Sequence, residues 1–492
     1  MIRRGKAEGW LHIPSGALKW WAESDEVVFD STAPGFIADR GGALLATKSV
    51  EEHTGPPRTL LTVPQDLVLS LDRVYEYAKS DRDLREVLAC LQNFGRVNVA
   101  VMTSRGAILA FLLMQISLSC PHLAERVSVH CPFTEYVKCL PVEDLPTAWS
   151  AAELQTLAGT TLAPAIDSKL RSLRREYGRF CESVQGTHWS RVVLEQLDFD
   201  DWLIVDAMYR SRALDLPHHG HCMVPCIDLA NHARGEMAIA VYGEDPEHNA
   251  TLQLRVGKTL KAGQEITITY GDEKGACEML FSYGFLEQGM QTAETLFLSL
   301  AIPDSDSSRS GKMEIAGCAP GFKLIDTDDG EIDWSGDFIW LACVGFGDGL
   351  CFKLATTTDG CHETQCFFNE HELVGGAAQL RALLAQTDLW EVYHLRALTI
   401  LQQRVFEQLL ALDGTQEVME AQSHGEDTDV RSRPYQLCMQ LRKLEFELLN
   451  TAYEQFEREK ATLAKSPVVL HYLEQINKDD STGEAAEHED FS

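Results

Sequence analysis

The sequence predicts an α+β protein in which a β-rich first part, interrupted by a helical insert, is followed by a mostly α-helical second part. Short apolar runs punctuated by glycine and proline open the chain, as at Ala43–Thr47 and Thr59–Val63. Apolar residues then recur at helical spacing, as in Leu84–Leu91. Helical patterns dominate again beyond Asn369.

The size and charge of the chain limit its function. It has 492 residues, of which 45% are hydrophobic and 24% charged, a composition typical of globular proteins of two or three domains. Acidic residues outnumber basic ones, 74 to 43, so the net charge is −31. Such a chain is repelled by phosphate backbones, which argues against direct binding of nucleic acid and favours a basic protein partner.

The N-terminus and the cysteines predict an intracellular protein of the cytoplasm or nucleus. Met1–Trp10 contains no apolar core of a secretory signal. The longest apolar stretch, Ala107–Cys120, is shorter than the roughly 20 residues that a membrane span requires. Since this stretch is too short to span a bilayer, we expect no membrane association. The 14 cysteines show no regular spacing, which favours free thiols.

The spacing of apolar residues and the positions of turn residues predict the individual helices and strands. We expect a short helix at Leu18–Trp21, a strand at Glu26–Phe29, helices from Leu67 to about Phe180, and a further helix from about Asp201 to Leu214. Apolar and polar residues then alternate again, as is typical of strands. Thr251–Val256 and Ile266–Tyr270 are predicted strands, and the glycine of Leu260–Gln264 indicates a turn between them.

The second part begins where the composition changes, after Gly289. Asp304–Gly311 is a polar loop, and Ser423–Arg433 is a polar break between two helices. The leucines of one of these helices form a stripe at helical spacing: Leu437, Leu441, Leu444 and Leu448. The segment from Lys478 onward is acidic without an apolar face, which predicts disorder.

Three short motifs carry the chemical information. They are Val-Pro-Cys-Ile-Asp-Leu-Ala-Asn-His at 224–232, Ala-Gly-Gln-Glu-Ile-Thr-Ile-Thr-Tyr-Gly at 262–271 and Leu-Phe-Ser-Tyr-Gly-Phe at 280–285. Each alone is ordinary, because an Asn-His pair often only caps a turn and a strand tyrosine usually only packs. In this order and spacing they resemble the SET-domain protein methyltransferases, and most of all the subfamily of the Rubisco large-subunit lysine methyltransferase. Arg40–Thr47 and Arg210–Leu214 resemble further parts of that pattern.

The resemblance implies a domain organisation. It places a β-rich SET domain at 15–290 with a helical insert at about 75–205. A helical substrate-binding domain would follow at 291–477, and a disordered acidic tail at 478–492. In this family the Asn-His segment and the tyrosine segment cross in a pseudoknot-like arrangement that builds the active site.

The same resemblance implies roles for individual residues. Tyr270 would be the catalytic tyrosine, with Tyr283 beside it in the target channel. Leu214 and Phe285 would line that channel as well. S-adenosylmethionine is the implied cofactor, with these residues around it: Arg40, Gly41, Gly42, Ser211, Arg212, Asp228, Asn231, His232, Tyr270 and Tyr283.

The implied reaction is the methylation of a lysine in a basic protein, such as a ribosomal, translation-related or histone protein, by a monomeric enzyme. Leu214 stands where the related actin-histidine methyltransferase has a polar residue, which favours lysine. Two alternatives stay open, a protein-histidine methyltransferase of the same fold and a catalytically silent SET-fold binding module. Asn231, Tyr270 and Tyr283 are all present, which argues against the silent module.

A metal site is the weaker interpretation of the remaining polar cluster. His218, His219, His221 and Cys222 lie close to Cys226, but no second ligand pair stands at zinc-finger spacing. The sequence therefore predicts a polar loop here and no metal.

Overall fold

The computed structural model describes residues 1–11, 27–38, 40–51, 57–95, 103–327, 329–356, 362–422 and 430–476. The helix expected at Leu18–Trp21 and the acidic tail from Lys478 lie outside the described residues. So does most of the polar break at Ser423–Arg433.

The chain divides into two compact units. The first contains Met1–Trp149, Ala165–Lys274 and Leu280–Gly284. The second contains Phe285–Ser492 together with two shorter segments, Ser150–Pro164 and Gly275–Met279. Two segments that precede the third motif in the chain therefore belong to the second unit.

Small sheets form the framework of the first unit. Its strands are β1 (Val28–Phe29), β2 (Thr32–Ile37), β3 (Gly41–Ala46), β4 (Thr59–Val63), β5 (Ala213–Leu216), β6 (Gly220–Met223), β7 (Asn231–His232), β8 (Ala240–Glu244), β9 (Ala250–Leu254) and β10 (Glu265–Ile268). One sheet has the order β1-β4-β9-β8, a second β2-β3-β10-β7, and β5 and β6 form a hairpin. Strands from before and after the helical insert pair with each other in both larger sheets, so the insert interrupts one β-rich core.

Helices fill the insert, as the periodicity predicts. The helices before residue 211 are Ile2–Glu8, Leu71–Ser80, Arg82–Gly95, Ser104–Leu118, Pro132–Cys139, Ala151–Gln155, Leu162–Val184, His188–Val193 and Phe199–Arg210. Ser104–Leu118 is the apolar stretch noted above, and its residues from Ala107 to Ser117 are all buried. Thr103 caps this helix by accepting a hydrogen bond from the N–H of Gly106. This helix therefore forms the centre of the core of the first unit.

No helix in the described part of the chain is long and apolar enough to cross a membrane.

The helix predicted from Asp201 to Leu214 is wrong at its C-terminal end. It begins at Phe199, where the carboxylate of Asp198 accepts a hydrogen bond from the N–H of Asp201, and it ends at Arg210. Leu214 lies instead in β5, opposite Cys222 of β6. Helical periodicity could not place this end of the helix, because Ala213 lies four residues after Tyr209 and so continues the helical spacing.

The second unit combines two three-stranded sheets with long helices. Its strands are β11 (Thr295–Ser299), β12 (Gly321–Asp326), β13 (Ile332–Ser335), β14 (Leu350–Thr356), β15 (His362–Phe368) and β16 (His371–Glu372). The helices after residue 275 are Ala276–Tyr283, Arg309–Ile315, Phe338–Cys343, Gly376–Leu384, Trp390–Gln422 and Ser432–Leu463. The helical region beyond Asn369 is thus confirmed, and the α+β class with it. Leu441, Leu444 and Leu448 of the leucine stripe are buried.

Candidate active site

The pairing of two strands builds the site. β7 runs parallel to β10, with Asn231 opposite Thr267 and His232 opposite Ile268. Tyr270 follows two residues after the end of β10. Since neighbouring strands lie about 4.8 Å apart, this register places the Asn-His motif beside the tyrosine motif.

The turn that leads into β7 is strained. Cys226 has a φ of 74°, which is unfavourable for a residue with a side chain, and it is buried. It precedes a short 3₁₀ turn at Ile227–Leu229 that aims Asp228 inward. Such strain persists only where the surrounding packing enforces it, and it commonly marks functional sites.

His232 and Tyr270 are in direct contact. The backbone N–H of Tyr270 donates a hydrogen bond to Nδ1 of His232 over 3.0 Å. His232 is buried, and its ring lies 5.2 Å from the ring of Tyr270. Because Nδ1 accepts, a neutral His232 carries its proton on Nε2.

Tyr270 and Tyr283 form an aromatic pair. Their ring centroids are 4.5 Å apart at an interplanar angle of 36°. The hydroxyl of Tyr270 donates a hydrogen bond of 3.0 Å to the carbonyl oxygen of Ala230, in the turn before β7. Burial raises the pKa of the Tyr270 hydroxyl, while the charge of Arg212 acts in the opposite direction. The hydroxyl therefore stays neutral across the physiological pH range.

Asn231 is held by its neighbours in the same sheet. Its side-chain amide donates to the carbonyl oxygen of Gly42 over 3.2 Å and to the carboxylate of Glu265 over 2.8 Å. Arg40 forms an ion pair with the same carboxylate. Three segments that are far apart in the sequence thus meet at Glu265.

The two glycines of the opening strand have different local constraints. Gly41 has a φ of 80°, a conformation that favours glycine. A Cβ atom at Gly42 would lie 3.1 Å from Cδ2 of Leu229. A side chain at Gly41 would strain the backbone, whereas one at Gly42 would press on Leu229 in the turn before β7.

A buried ionic network lies behind this turn. Arg212 bonds Glu143 over 2.7 Å through Nη2 and the carbonyl oxygen of Asp228 over 2.9 Å through Nη1. The hydroxyl of Tyr136 donates to the carboxylate of Asp228 over 2.7 Å. Burial raises the pKa of Asp228, and the charge of Arg212 opposes this rise. Nε of Arg212 is buried without a hydrogen-bond partner among the described residues.

The first arginine of the Arg-Ser-Arg segment has another partner. Arg210 donates to the carbonyl oxygen of Phe281 over 2.6 Å, and its guanidinium lies 4.5 Å from the centroid of the Phe281 ring. This contact ties the helix Phe199–Arg210 to the segment that carries Tyr283. Arg210 is therefore a structural support of the tyrosine pair.

The other predicted site residues are less directly connected to this cluster. The hydroxyl of Ser211 donates to the carbonyl oxygen of Ala207 and so caps the end of the preceding helix. Leu214 is half-buried in β5 and packs against the core of the first unit. Phe285 is half-buried and belongs to the second unit.

The motifs did not indicate four of the residues that contact the site: Tyr136, Glu143, Glu265 and Lys274. Tyr136 and Glu143 lie in the helical insert, where no local pattern distinguishes them. Glu265 and Lys274 lie inside or next to the tyrosine motif, where a charged residue close to an Asn or Tyr could have been noticed. Lys274 donates to the hydroxyl of Tyr283 and to the carbonyl oxygen of Tyr270.

The histidine-rich segment forms part of the β5–β6 hairpin and its neighbourhood. The rings of His218 and His248 are stacked at 3.8 Å, and the ring of His219 bonds the carbonyl oxygen of His248. Among the described residues, no group of three or more His, Cys, Asp or Glu side chains is arranged to hold a metal ion.

Comparison with known proteins identifies the architecture. No protein-family model matches the chain. A SET domain-containing protein 8 from Schizosaccharomyces pombe is 26% identical over 275 residues, 55% of this chain and 61% of that protein. The chloroplastic Rubisco large-subunit N-methyltransferase of Pisum sativum is 24% identical over 306 residues, 61% of this chain and 56% of that protein.

A chloroplastic fructose-bisphosphate aldolase-lysine N-methyltransferase of Arabidopsis thaliana is 24% identical over 248 residues, 47% of this chain and 50% of that protein. The chain thus spans less than two thirds of the length of these curated relatives.

Solved structures match over nearly the full length. The SET domain of the Rubisco large-subunit methyltransferase, solved with lysine and S-adenosylhomocysteine, superposes with a TM-score of 0.62 at 18% identity. The superposition covers 92% of this chain and 93% of that one. The same protein solved with S-adenosylmethionine gives the same TM-score. The chain therefore has the fold of the SET domain of the Rubisco large-subunit methyltransferase.

Proposed function

We propose that this chain is an S-adenosylmethionine-dependent protein-lysine N-methyltransferase. The observation that carries the proposal is the parallel pairing of β7 with β10, which brings Asn231 and His232 beside Tyr270 and its partner ring Tyr283. Two relatives of the chain are named as N-methyltransferases of proteins, Rubisco in one case and aldolase in the other. The chain's own residues at this site have the chemistry that such a reaction needs.

The residues around Asn231 fit the cofactor. The left-handed backbone of Gly41 and the close approach at Gly42 make a surface without side chains next to the Asn231 amide. Such a surface suits close contact with a ligand. Arg40, Asn231 and His232 would hold the cofactor here, with Gly41 and Gly42 as its backbone contacts.

Arg212, Asp228 and Ser211 would support the other side of the cofactor site. The buried Nε donor of Arg212 suits a carboxylate, because a guanidinium can bind one with geometric specificity. Its two Nη atoms already bond Glu143 and Asp228, so the arginine is held in place before a ligand arrives. When bound, S-adenosylmethionine supplies an electrophilic methyl group.

The tyrosine pair would orient the target amine. A lysine in water has a pKa of about 10.4 and is charged at neutral pH, so the site must accept the neutral form. Tyr270 provides a neutral hydroxyl, since burial raises its pKa. Two aromatic rings exclude water, and close alignment of the reacting atoms supplies most of the rate gain. Leu214 would add to the apolar wall of the channel.

The substrate we propose is a protein with a basic segment around the target lysine. The net charge of −31 attracts such a segment and repels nucleic acid. Ribosomal, translation-related and histone proteins have this character. The second unit has no methyl-transfer motif, so we assign substrate docking to residues 291–477. We place a monomeric enzyme in the cytoplasm or nucleus, where the 13 described cysteines, all without disulfides, would stay reduced.

One experiment tests the proposed activity. The full chain is incubated with S-adenosylmethionine labelled in its methyl group and with a protein extract of the source organism, and the labelled protein is identified by mass spectrometry. We expect label on the side-chain nitrogen of a lysine. Label on a histidine would establish the alternative target. Binding of the cofactor without any transfer would establish a silent SET-fold module.

A further inference from the structure

Lys274 reaches both members of the tyrosine pair. Its Nζ donates a hydrogen bond of 2.7 Å to the hydroxyl oxygen of Tyr283 and another of 2.7 Å to the carbonyl oxygen of Tyr270. The same ammonium lies 5.0 Å from the centroid of the Tyr283 ring. The hydroxyl of Tyr283 is itself 3.4 Å from the Tyr270 carbonyl oxygen. One cation thus joins the backbone of one tyrosine to the hydroxyl of the other.

The loop that starts at Gly271 leaves room for the side chain of Lys274. Gly271 has a φ of 130°, and a Cβ atom there would lie 3.2 Å from both Cδ and Cε of Lys274. A larger residue at 271 would therefore strain the backbone and press against the lysine stem. Lys274 is half-buried, so its stem packs along the loop while its head is held at the pair.

We propose that Lys274 is a positioning residue that makes the channel select the neutral form of the target amine. The inference rests on the proposed function, because it takes the tyrosine pair as the amine channel. An amine that binds the Tyr283 hydroxyl lies within about 5–6 Å of the Lys274 ammonium, since both share one oxygen at hydrogen-bond distance. Two ammonium groups at that separation repel each other, which lowers the pKa of the bound amine.

The other charged groups near the pair do not replace this effect. Arg212, Glu143 and Asp228 act on the Tyr270 hydroxyl, and Arg212 is paired with both carboxylates. On another strand, the hydroxyl of Tyr242 is the group that interacts with Tyr283. The acidic residues nearest Lys274 in the chain, Asp272, Glu273 and Glu278, are exposed, so water screens their charges.

The test counts the protons released when an amine binds. The full chain is saturated with S-adenosylhomocysteine and titrated with Nα-acetyl-lysine methylamide, whose side-chain amine is its only titratable group. Calorimetry at pH 8 in buffers of different ionisation enthalpy gives the number of protons released. We expect the wild-type chain to release about one proton per bound probe, because the free amine is almost fully charged at that pH.

Three variants separate charge from geometry. Lys274→Met removes the charge and both donors, and we expect it to release less than about half a proton, because the bound amine regains a higher pKa. Lys274→Gln keeps a donor without the charge and should behave like Lys274→Met, so it replaces that variant if the latter does not fold. Lys274→Arg keeps a positive charge, because a guanidinium group stays protonated at this pH. This variant should release as many protons as the wild type.

The outcomes separate the two proposals. Equal proton release by all four proteins overturns the role of Lys274 and leaves the proposed function standing. The same holds if Lys274→Arg releases as few protons as Lys274→Met. A wild-type chain that binds neither S-adenosylhomocysteine nor the probe contradicts the proposed function itself. A wild-type chain that binds S-adenosylhomocysteine but no probe has no amine channel, which overturns both.

Discussion

The backbone N–H of Tyr270 donates a hydrogen bond to the Nδ1 atom of His232, 38 residues earlier in the chain. This bond ties the end of the tyrosine strand to the Asn-His strand at the point where the two run in parallel. A change in one motif will therefore displace the other. The proposed cofactor site and the proposed amine channel are in this sense a single structure.

Asn231→Ala should weaken the binding of S-adenosylmethionine. The variant removes the proposed polar partner of the cofactor, which is also the amide that bonds Gly42 and Glu265. Loss of a hydrogen bond that the bound cofactor would bury costs on the order of 1–3 kcal/mol, which corresponds to a roughly fivefold to 150-fold weaker affinity. Calorimetric titration with S-adenosylmethionine measures this change in affinity. Asn249→Ala is the matched control, since Asn249 bonds Asp245 in a loop of the same unit. Equal affinities of both variants and the wild type would refute the assignment of Asn231.

The rate of methyl transfer should rise from pH 7 to about pH 9. The nucleophile is the neutral amine, and its fraction grows as the pH approaches the lysine pKa of about 10.4. Single-turnover rates at substrate concentrations well below KM measure this dependence, because they follow the neutral fraction of the free amine and not the protonation state of the amine already bound in the channel. A histidine target has an unperturbed pKa of about 6.5 and is already neutral at pH 7. A rate that does not change over this range would therefore indicate histidine.

Glu445 should make the protein less stable as the pH rises from about 4.5 to about 7. This carboxyl group is fully buried, burial raises its pKa from 4.5 to about 7, and it bonds the N–H and hydroxyl of Thr161. Between these values the folded state keeps a proton that the unfolded state releases, so the free energy of unfolding falls as the pH increases. The full loss is about 3 kcal/mol.

Denaturant unfolding at several pH values checks this expectation. Glu445→Gln should remove most of the decrease in stability across this pH window. Glu447→Gln, on the exposed face of the same helix, should keep it. If Glu445→Gln shows the same pH dependence as the wild type, Glu445 does not titrate in this window.

Salt should weaken the recognition of the protein substrate more than that of the cofactor. The chain carries a net charge of −31, and attraction between exposed charges is screened over about 8 Å at physiological ionic strength. Raising the salt concentration should therefore increase KM for the labelled substrate and leave the affinity for S-adenosylmethionine nearly constant. If KM does not depend on salt, charge attraction does not guide the substrate.

The motifs predicted the fold and the meeting of Asn231, His232 and Tyr270, because their order reflects how the strands pair. Local sequence patterns could not predict contacts between residues that lie far apart in the chain. Arg212 was among the predicted site residues, but its partner Glu143 lies in the helical insert, where no local pattern distinguishes it from an ordinary surface charge. The strands between 295 and 372 were also missed, although Phe322 and Leu324 of β12 alternate with exposed Lys323. In that run only Phe322, Lys323 and Leu324 alternate before the apolar Ile325 breaks the pattern, which is too little to indicate a strand.

The most direct test of the account compares Tyr270→Phe with the wild type in methyl transfer. The variant keeps the ring and removes only the hydroxyl that donates to the Ala230 carbonyl oxygen. Tyr75→Phe is its matched control, because that hydroxyl bonds Gln92 on the surface of the helical insert. We predict that Tyr270→Phe binds S-adenosylmethionine like the wild type but labels the substrate lysine at least about a hundredfold more slowly, while Tyr75→Phe is fully active. Normal turnover by a folded Tyr270→Phe protein would contradict the central claim that Tyr270 is the catalytic tyrosine.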